Sequence, residues 1–221
     1  MMTKNEQNSL SLRLEQCYTG VVHDVMRARG MSRFTLPPEL RPILPEKTMA
    51  GPAFTISGRP CPGIVPHETL VAWRGLLSKA PAGHIWISQP NDRNVAHMGE
   101  LSGETLLLKG LRGVVTDGFI RDANFLMKVG LQVWGRGFTP RDIVGYWMPF
   151  EVNTPISIGE VDIHPGDFIV GDRDGCLVIP EDDCLKITKQ AEESIATENL
   201  IRKAILNGID PQEAYLKYGM F

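Results

Sequence analysis

Two short stretches of this 221-residue chain hold groups suited to binding an anion and stabilising negative charge. In the first, His97-Met98-Gly99-Glu100-Leu101-Ser102, a glycine stands where a polar loop turns into an apolar run at helical spacing. The first N–H groups of a helix have no acceptor within it and lie at the positive end of its dipole. The main chain at Gly99, Glu100, Leu101 and Ser102 therefore suits a carboxylate or a phosphate. Every helix has such an end, so this stretch alone is not specific. The second, Val115-Thr116-Asp117-Gly118-Phe119-Ile120-Arg121-Asp122, begins in an apolar run. There Arg121 offers a planar fork for a carboxylate or an oxyanion, and Asp122 a hard oxygen ligand for Mg²⁺ or Mn²⁺. An adjacent Arg-Asp pair also suits a surface ion pair, and Asp122 alone a helix cap. The two stretches together are what point to chemistry.

Both need a scaffold that brings them to one place. Periodicity predicts helices over His67–Lys79, from about Gly99 to Lys109, and over Asp122–Val129, alternating with strands at His84–Ser88, Gly113–Thr116 and Leu131–Trp134. Such alternation marks a parallel sheet with crossover helices, and ligands of these sheets gather at the carboxyl ends of the strands, where both stretches fall. Upstream, residues 1–11 read as a mobile tail, with a helical turn at Leu12–Cys17 and a helix N-capped by Thr19 and ended by Gly30. Pro37, Pro38, Pro42, Pro45 and Pro52 then forbid a central strand or helix interior until a short β-like run, Ala53–Ile56. Downstream, Ile143–Ile179 is a series of short strands with an Asp174-Gly175 hairpin turn, and a helix runs from Pro180 to Asn207. The expected organisation is one mixed α/β domain over residues 12–180 with a helical extension at 181–221.

Composition narrows the function classes. The net charge is −3 with no basic run, which leaves out the electrostatic footprint of a nucleic-acid binder. No stretch approaches ~18 uninterrupted apolar residues and the start is polar, so the chain reads as cytoplasmic, without a membrane partner. Cys17, Cys61, Cys176 and Cys184 have no paired spacing and read as reduced thiols. The histidines show no zinc-protease pattern. Asp172 and Asp174 begin like a calcium loop, but no glutamate closes it and the hairpin turn explains them better. Trp73, Trp86, Trp134, Trp147 and Phe150 suit a core better than a pocket wall.

Taken in order, Gly51-Pro52-Ala53-Phe54-Thr55, Gly99-Glu100-Leu101-Ser102, Gly113 through Asp122, Pro165-Gly166-Asp167-Phe168-Ile169-Val170-Gly171-Asp172 and Gly175-Cys176-Leu177-Val178-Ile179-Pro180 resemble the RraA-like proteins. That family includes the class II 4-hydroxy-4-methyl-2-oxoglutarate / 4-carboxy-4-hydroxy-2-oxoadipate aldolases, and the likeness spans most of residues 19 to 205. It implies a swivelling β/β/α domain plus a C-terminal helix, assembled as a homotrimer or homohexamer with sites between subunits. By the same resemblance, the main-chain N–H groups of Gly99, Glu100, Leu101 and Ser102 hold a pyruvyl carboxylate. Arg121 binds the C2 oxygen, and Asp122 ligates Mg²⁺ or Mn²⁺ largely through water. The acidic position before the Arg-Asp pair is Asp in the aldolases' motif and Glu100 here. A further carboxylate comes from the C-terminal helix of a neighbouring subunit, with Glu198 the best match and Glu193 the fallback.

The implied activity is metal-assisted retro-aldol cleavage of a 4-hydroxy-2-oxo acid to pyruvate, with oxaloacetate decarboxylation as a side activity. Arg121 would stabilise the enolate, and Glu198 or Glu100 would help remove the C4 hydroxyl proton. Lys109 at a helix end and Lys128 in the next helix do not suit a Schiff base. His97 and Arg93 are the positions expected to read the distal substrate group. The alternative is the family's non-catalytic branch, a protein-binding regulator of ribonuclease activity, which keeps the Arg-Asp pair; the long C-terminal helix with Glu198 favours the aldolase. A methyltransferase, a label also attached to such sequences, lacks its glycine-rich nucleotide loop here.

Overall fold

The computed structural model describes residues 2–219. In chain order the elements are α1 (Lys4–Leu14), α2 (Thr19–Ala28), β1 (Arg41–Pro42), β2 (Met49–Pro60), α3 (Pro66–Lys79), β3 (Ile85–Gln89), α4 (Glu100–Leu108), β4 (Gly113–Thr116), α5 (Ala123–Val129) and β5 (Val133–Gly135). There follow β6 (Trp147–Val152), β7 (Ile156–Ile158), β8 (Val161–Ile163), β9 (Phe168–Gly171), β10 (Cys176–Ile179), α6 (Glu181–Leu206) and α7 (Pro211–Tyr218). No helix among the described residues is long and apolar enough to cross a membrane.

Strands order as β1-β5-β4-β3-β2-β9-β10, with β6 also on β2 and a separate β7-β8 hairpin. The expected crossover region is the parallel part: β2, β3, β4 and β5 run in one direction, with Ile87 opposite Val115 and Ser88 opposite Thr116. Antiparallel β9 and β10 extend the sheet beyond β2. Alternation sorts the side chains onto two faces. Ile85, Ile87, Val115 and Trp134 pack inward with Ile156, Ile158, Val161 and Ile163 of the small hairpin, whereas Trp86 and Val114 face a helical layer holding Leu76, Leu106 and Leu126. The result is a β/β/α domain.

Four sequence expectations change. Residues 1–11 are not a loose tail: α1 begins at Lys4, closed by a capping box in which Thr3 and Glu6 satisfy each other's exposed N–H groups, and Leu10 and Leu14 are buried. Thr19 does not cap α2; its hydroxyl and N–H both donate to Asp172 (2.7 and 2.8 Å), tying the helix to the β9-β10 turn. The run at Ala53–Ile56 is part of a twelve-residue strand through Pro52. Pro52 is tolerated because it stands where pairing with β9 ends and pairing with β3 begins at Ala53. Helix α6 is likewise no mere extension. Cys184, Ile187 and Ala191 share a core with Leu14, Val22, Phe168 and Ile179, because its apolar positions recur on one face.

Candidate functional site

The two stretches meet at the carboxyl ends of β3 and β4, as the parallel order requires. Three loops are stitched together there by main-chain bonds. The His97 N–H donates to the Phe119 carbonyl (2.8 Å), the Arg121 N–H to the Met98 carbonyl (2.9 Å) and the Ala96 N–H to the Arg141 carbonyl (2.9 Å). The glycine of the first stretch permits a close approach: a Cβ on Gly99 would lie 2.7 Å from Asp122 Oδ2 and 3.1 Å from Arg121 Cγ, so a side chain there would push the Asp122 carboxylate aside.

Gly99 is the N-cap of α4 and supplies no side-chain cap, so the first N–H groups of the helix are left for other acceptors. One is used: the Glu100 N–H donates to Asp122 Oδ2 (3.1 Å). Those of Leu101 and Ser102 have no protein acceptor among the described residues. Asp122 occupies the N-cap position of α5 in the left-handed region (φ 57°) yet makes no cap bond to its own helix. For a non-glycine residue that backbone is uncommon and costs on the order of 1 kcal/mol or more. Its effect here is to turn the carboxylate away from α5 and into the space before α4.

Arg121 lies between two carboxylates, with Nε 3.5 Å from Asp122 and Nη1 3.3 Å from Asp142. Its side chain is 38% exposed, so the fork is aimed by these partners but still open to a ligand. A cleft of about 640 Å³ opens here, floored by Gly99, Glu100, Arg121 and Asp122. Leu70, Trp73, Leu101, Leu108, Ile143 and Val144 give it an apolar wall. Trp73 Nε1 donates to Ser102 Oγ (2.9 Å), fixing the end of the turn. Among the described residues no three His, Cys, Asp or Glu side chains gather as a metal site. A single partly exposed carboxylate fits a hard cation that keeps most of its waters, as Mg²⁺ does, and does not fit a closed zinc site.

The expected residues separate into two groups. Gly99, Glu100, Leu101, Ser102, Arg121 and Asp122 share the cleft. Glu198 does not line it; within its own chain its carboxylate accepts a short hydrogen bond from the Tyr18 hydroxyl, and burial together with this partner pushes the phenol up to about 12. Glu193 is exposed on α6. The roles expected of His97 and Arg93 change as well. Arg93 is exposed and does not border the cleft, whereas His97 borders it with a side chain that is only 1% exposed. Trp86, Trp134 and Trp147 are core, as their pattern suggested, but Trp73 borders the cleft. Sequence reading missed Asp142, whose only local signal is its place in a polar loop after Pro140.

The chain is similar to known proteins of one family in sequence and in fold. A family model described as RraA-like, Aldolase/RraA, matches residues 19–178. A Halalkalibacterium halodurans protein, provisionally named 4-hydroxy-4-methyl-2-oxoglutarate aldolase, is 28% identical over 182 residues, covering 80% of this chain and 81% of its own. The 4-hydroxy-4-methyl-2-oxoglutarate aldolase of Thermus thermophilus is 34% identical over 109 residues, 49% of this chain and 66% of that protein. In fold, the chain is similar to RraAS2 of Streptomyces coelicolor, described as an unusual member of the RNase ES inhibitor RraA family. The TM-score is 0.78 at 24% identity, covering 88% of this chain and 96% of that one.

Proposed function

We propose, from the premise that this chain belongs to the RraA-like family, that it is a divalent-metal-dependent lyase releasing pyruvate from a 4-hydroxy-2-oxo acid. The observation that supports this most is the convergence of Arg121, Asp122 and the open start of α4 in one cleft. A pyruvyl carboxylate fits the Leu101 and Ser102 N–H groups at the positive end of the α4 dipole. From there its C2 oxygen reaches the Arg121 fork. When bound at Asp122, Mg²⁺ or Mn²⁺ supplies Lewis-acid polarisation of the 2-oxo group.

Cleavage moves the C4 hydroxyl proton to a base and the electrons of the C3–C4 bond into a C2–C3 enolate, leaving the second fragment as a carbonyl compound. Arg121 stabilises the charge that develops on the C2 oxygen, held in place by Asp142. Glu100, which lines the cleft, is the first candidate to take the proton, and Glu198 of a neighbouring subunit in a homotrimer or homohexamer is the second. Protonation at C3 then gives pyruvate. Loss of CO₂ from oxaloacetate produces the same enolate, so decarboxylation accompanies the reading.

The test is pyruvate release, coupled to lactate dehydrogenase, from oxaloacetate and from 4-hydroxy-4-methyl-2-oxoglutarate, with Mg²⁺ or Mn²⁺ and then with EDTA. Turnover that EDTA abolishes, and that Asp122→Ala does not show with either cation, is the expected result. Folded protein with added metal and no turnover on either compound sinks the lyase reading and shifts weight to a protein-binding role of the kind named for the ribonuclease-inhibitor relatives.

A further inference from the structure

Directly behind the cleft floor is a buried polar cluster that the lyase reading does not use. The Asp92 carboxylate receives the N–H groups of Asn94 (2.9 Å) and Val95 (3.0 Å), the Asn94 side-chain amide (3.1 Å) and the Tyr146 hydroxyl (3.1 Å). His97 Nε2 lies 3.2 Å from Asp92 Oδ2, and the two side chains are 1% and 0% exposed. Burial alone would push the Asp92 carboxyl up, but these donors together outweigh it and hold it at about 2, so the carboxylate is ionised and can only accept. His97 must then carry its proton on Nε2. Burial pushes the imidazole down to about 4, against the pull of Asp92, and it stays neutral.

Neutral, shielded from water and low in pKa, His97 is poorly suited to be a base. Its position suits a different task. The ring stands edge-on to Trp147 at 4.9 Å, and Trp147 Nε1 is itself anchored on the Pro90 carbonyl (2.7 Å). On the other side it lies against the second loop: a Cβ on Gly118 would be 2.6 Å from His97 Cδ2. The His97 N–H holds Phe119, two residues before Arg121, and the next residue's carbonyl receives the Arg121 N–H. Tyr146 brings in the chain that carries Asp142, so both loops that aim the guanidinium converge on Asp92 and His97.

We propose that His97, oriented by Asp92 and Tyr146, is a positioning residue that sets the Arg121 guanidinium in the cleft. It acts through the Gly118–Arg121 loop, against which its ring packs. The value of this placement for turnover rests on the lyase reading, but the placement itself does not.

The experiment reads Arg121 directly, from the Nε–H cross-peak of ¹⁵N-arginine-labelled protein, assigned by its loss in Arg121→Ala. Expected is a shift larger than the linewidth in His97→Phe, which fills the space without a donor, and a return toward the wild-type position in His97→Gln, which restores an N–H to Asp92. An unmoved cross-peak in folded His97→Phe overturns the proposal. If that variant does not fold, Asp92→Asn takes its place, with the same shift expected and an unmoved peak equally decisive. Binding of oxalate, an enolate mimic, gives a second readout by calorimetry. His97→Phe should weaken it ~10-fold when Arg121 is present and ~2-fold or less in Arg121→Ala, the non-additivity expected of residues acting as a unit. Equal losses in both backgrounds mean a general structural role and overturn the proposal. Wild-type protein that ignores oxalate retires the lyase reading, while the Arg121 cross-peak still decides the placement.

Discussion

Arg121 with Asp122, and His97 with Asp92, sit on the same stitched loops but are built on opposite principles. The first pair is 38% exposed on both sides, with its contact at 3.5 Å; the second is 1% and 0% exposed and densely hydrogen-bonded. Exposed ion pairs contribute ~0–1 kcal/mol, because water screens them and long side chains lose freedom. A buried carboxylate whose donors are removed, or a donor whose carboxylate is removed, costs several times as much. The groups proposed to meet a ligand are therefore weakly held by themselves, and on the placement proposed above a rigid, buried neighbour sets their geometry.

The sharpest attack on this contrast is Asp92→Ala. It strips the acceptor from His97, Tyr146 and two main-chain N–H groups. The expected loss is ~3–5 kcal/mol by urea denaturation, within the range for breaking one partner of a buried pair. A loss below ~1 kcal/mol would place the cluster with the surface pairs.

Acid should show the same asymmetry. His97 has a folded value of about 4, below its ordinary one near ~6.5, so the unfolded chain takes up the extra proton first. Its contribution is complete above ~6.5 and is lost as pH falls to about 4, a change on the order of 3 kcal/mol. Asp92, held at about 2, loses its share lower still. Unfolding free energy measured at pH 7, 5.5 and 4 should fall faster in wild type than in His97→Gln, which has no imidazole to charge.

Arg121→Ala gives the converse. On the lyase reading, turnover of oxaloacetate should drop ~100-fold, the cost of losing one oxyanion donor, whereas stability should change by ~0.5 kcal/mol or less. Large destabilisation would show the guanidinium to be a structural strut. Gly118→Ala probes the join between the two regions: the new Cβ would press on His97 at 2.6 Å and Pro90 at 3.1 Å, costing ~1–3 kcal/mol as overpacking does. Reduced turnover out of proportion to that loss would locate the contact between the buried cluster and the Arg121 loop.

Much of this architecture was legible along the chain. The helix-strand alternation from His67 to Trp134 and the placement of both chemical stretches at strand ends follow from periodicities of 3.6 and 2, which are local. The misreadings have local causes too. The capping box at Thr3 and Glu6 was visible, but a polar composition suggested a tail; the helix forms because Leu10 and Leu14 find Val22 and Phe168 far along the chain. Pro52 argued against a strand by a rule that holds for a ladder on both sides, and the change of partner at that residue could not be seen.

In the site, residue type was enough to single out the Arg-Asp pair and the glycine before Glu100, because planar forks, hard oxygens and missing side chains are properties of the residues themselves. Which way Asp122 turns, that Asp142 also faces Arg121, and that the His97 side chain is buried against Asp92 depend on loops meeting from separate parts of the chain. A pattern of neighbours specifies an element and one of its faces. Burial, tautomer and aim arise only when three loops share one volume, since each is set by groups that no local spacing brings together.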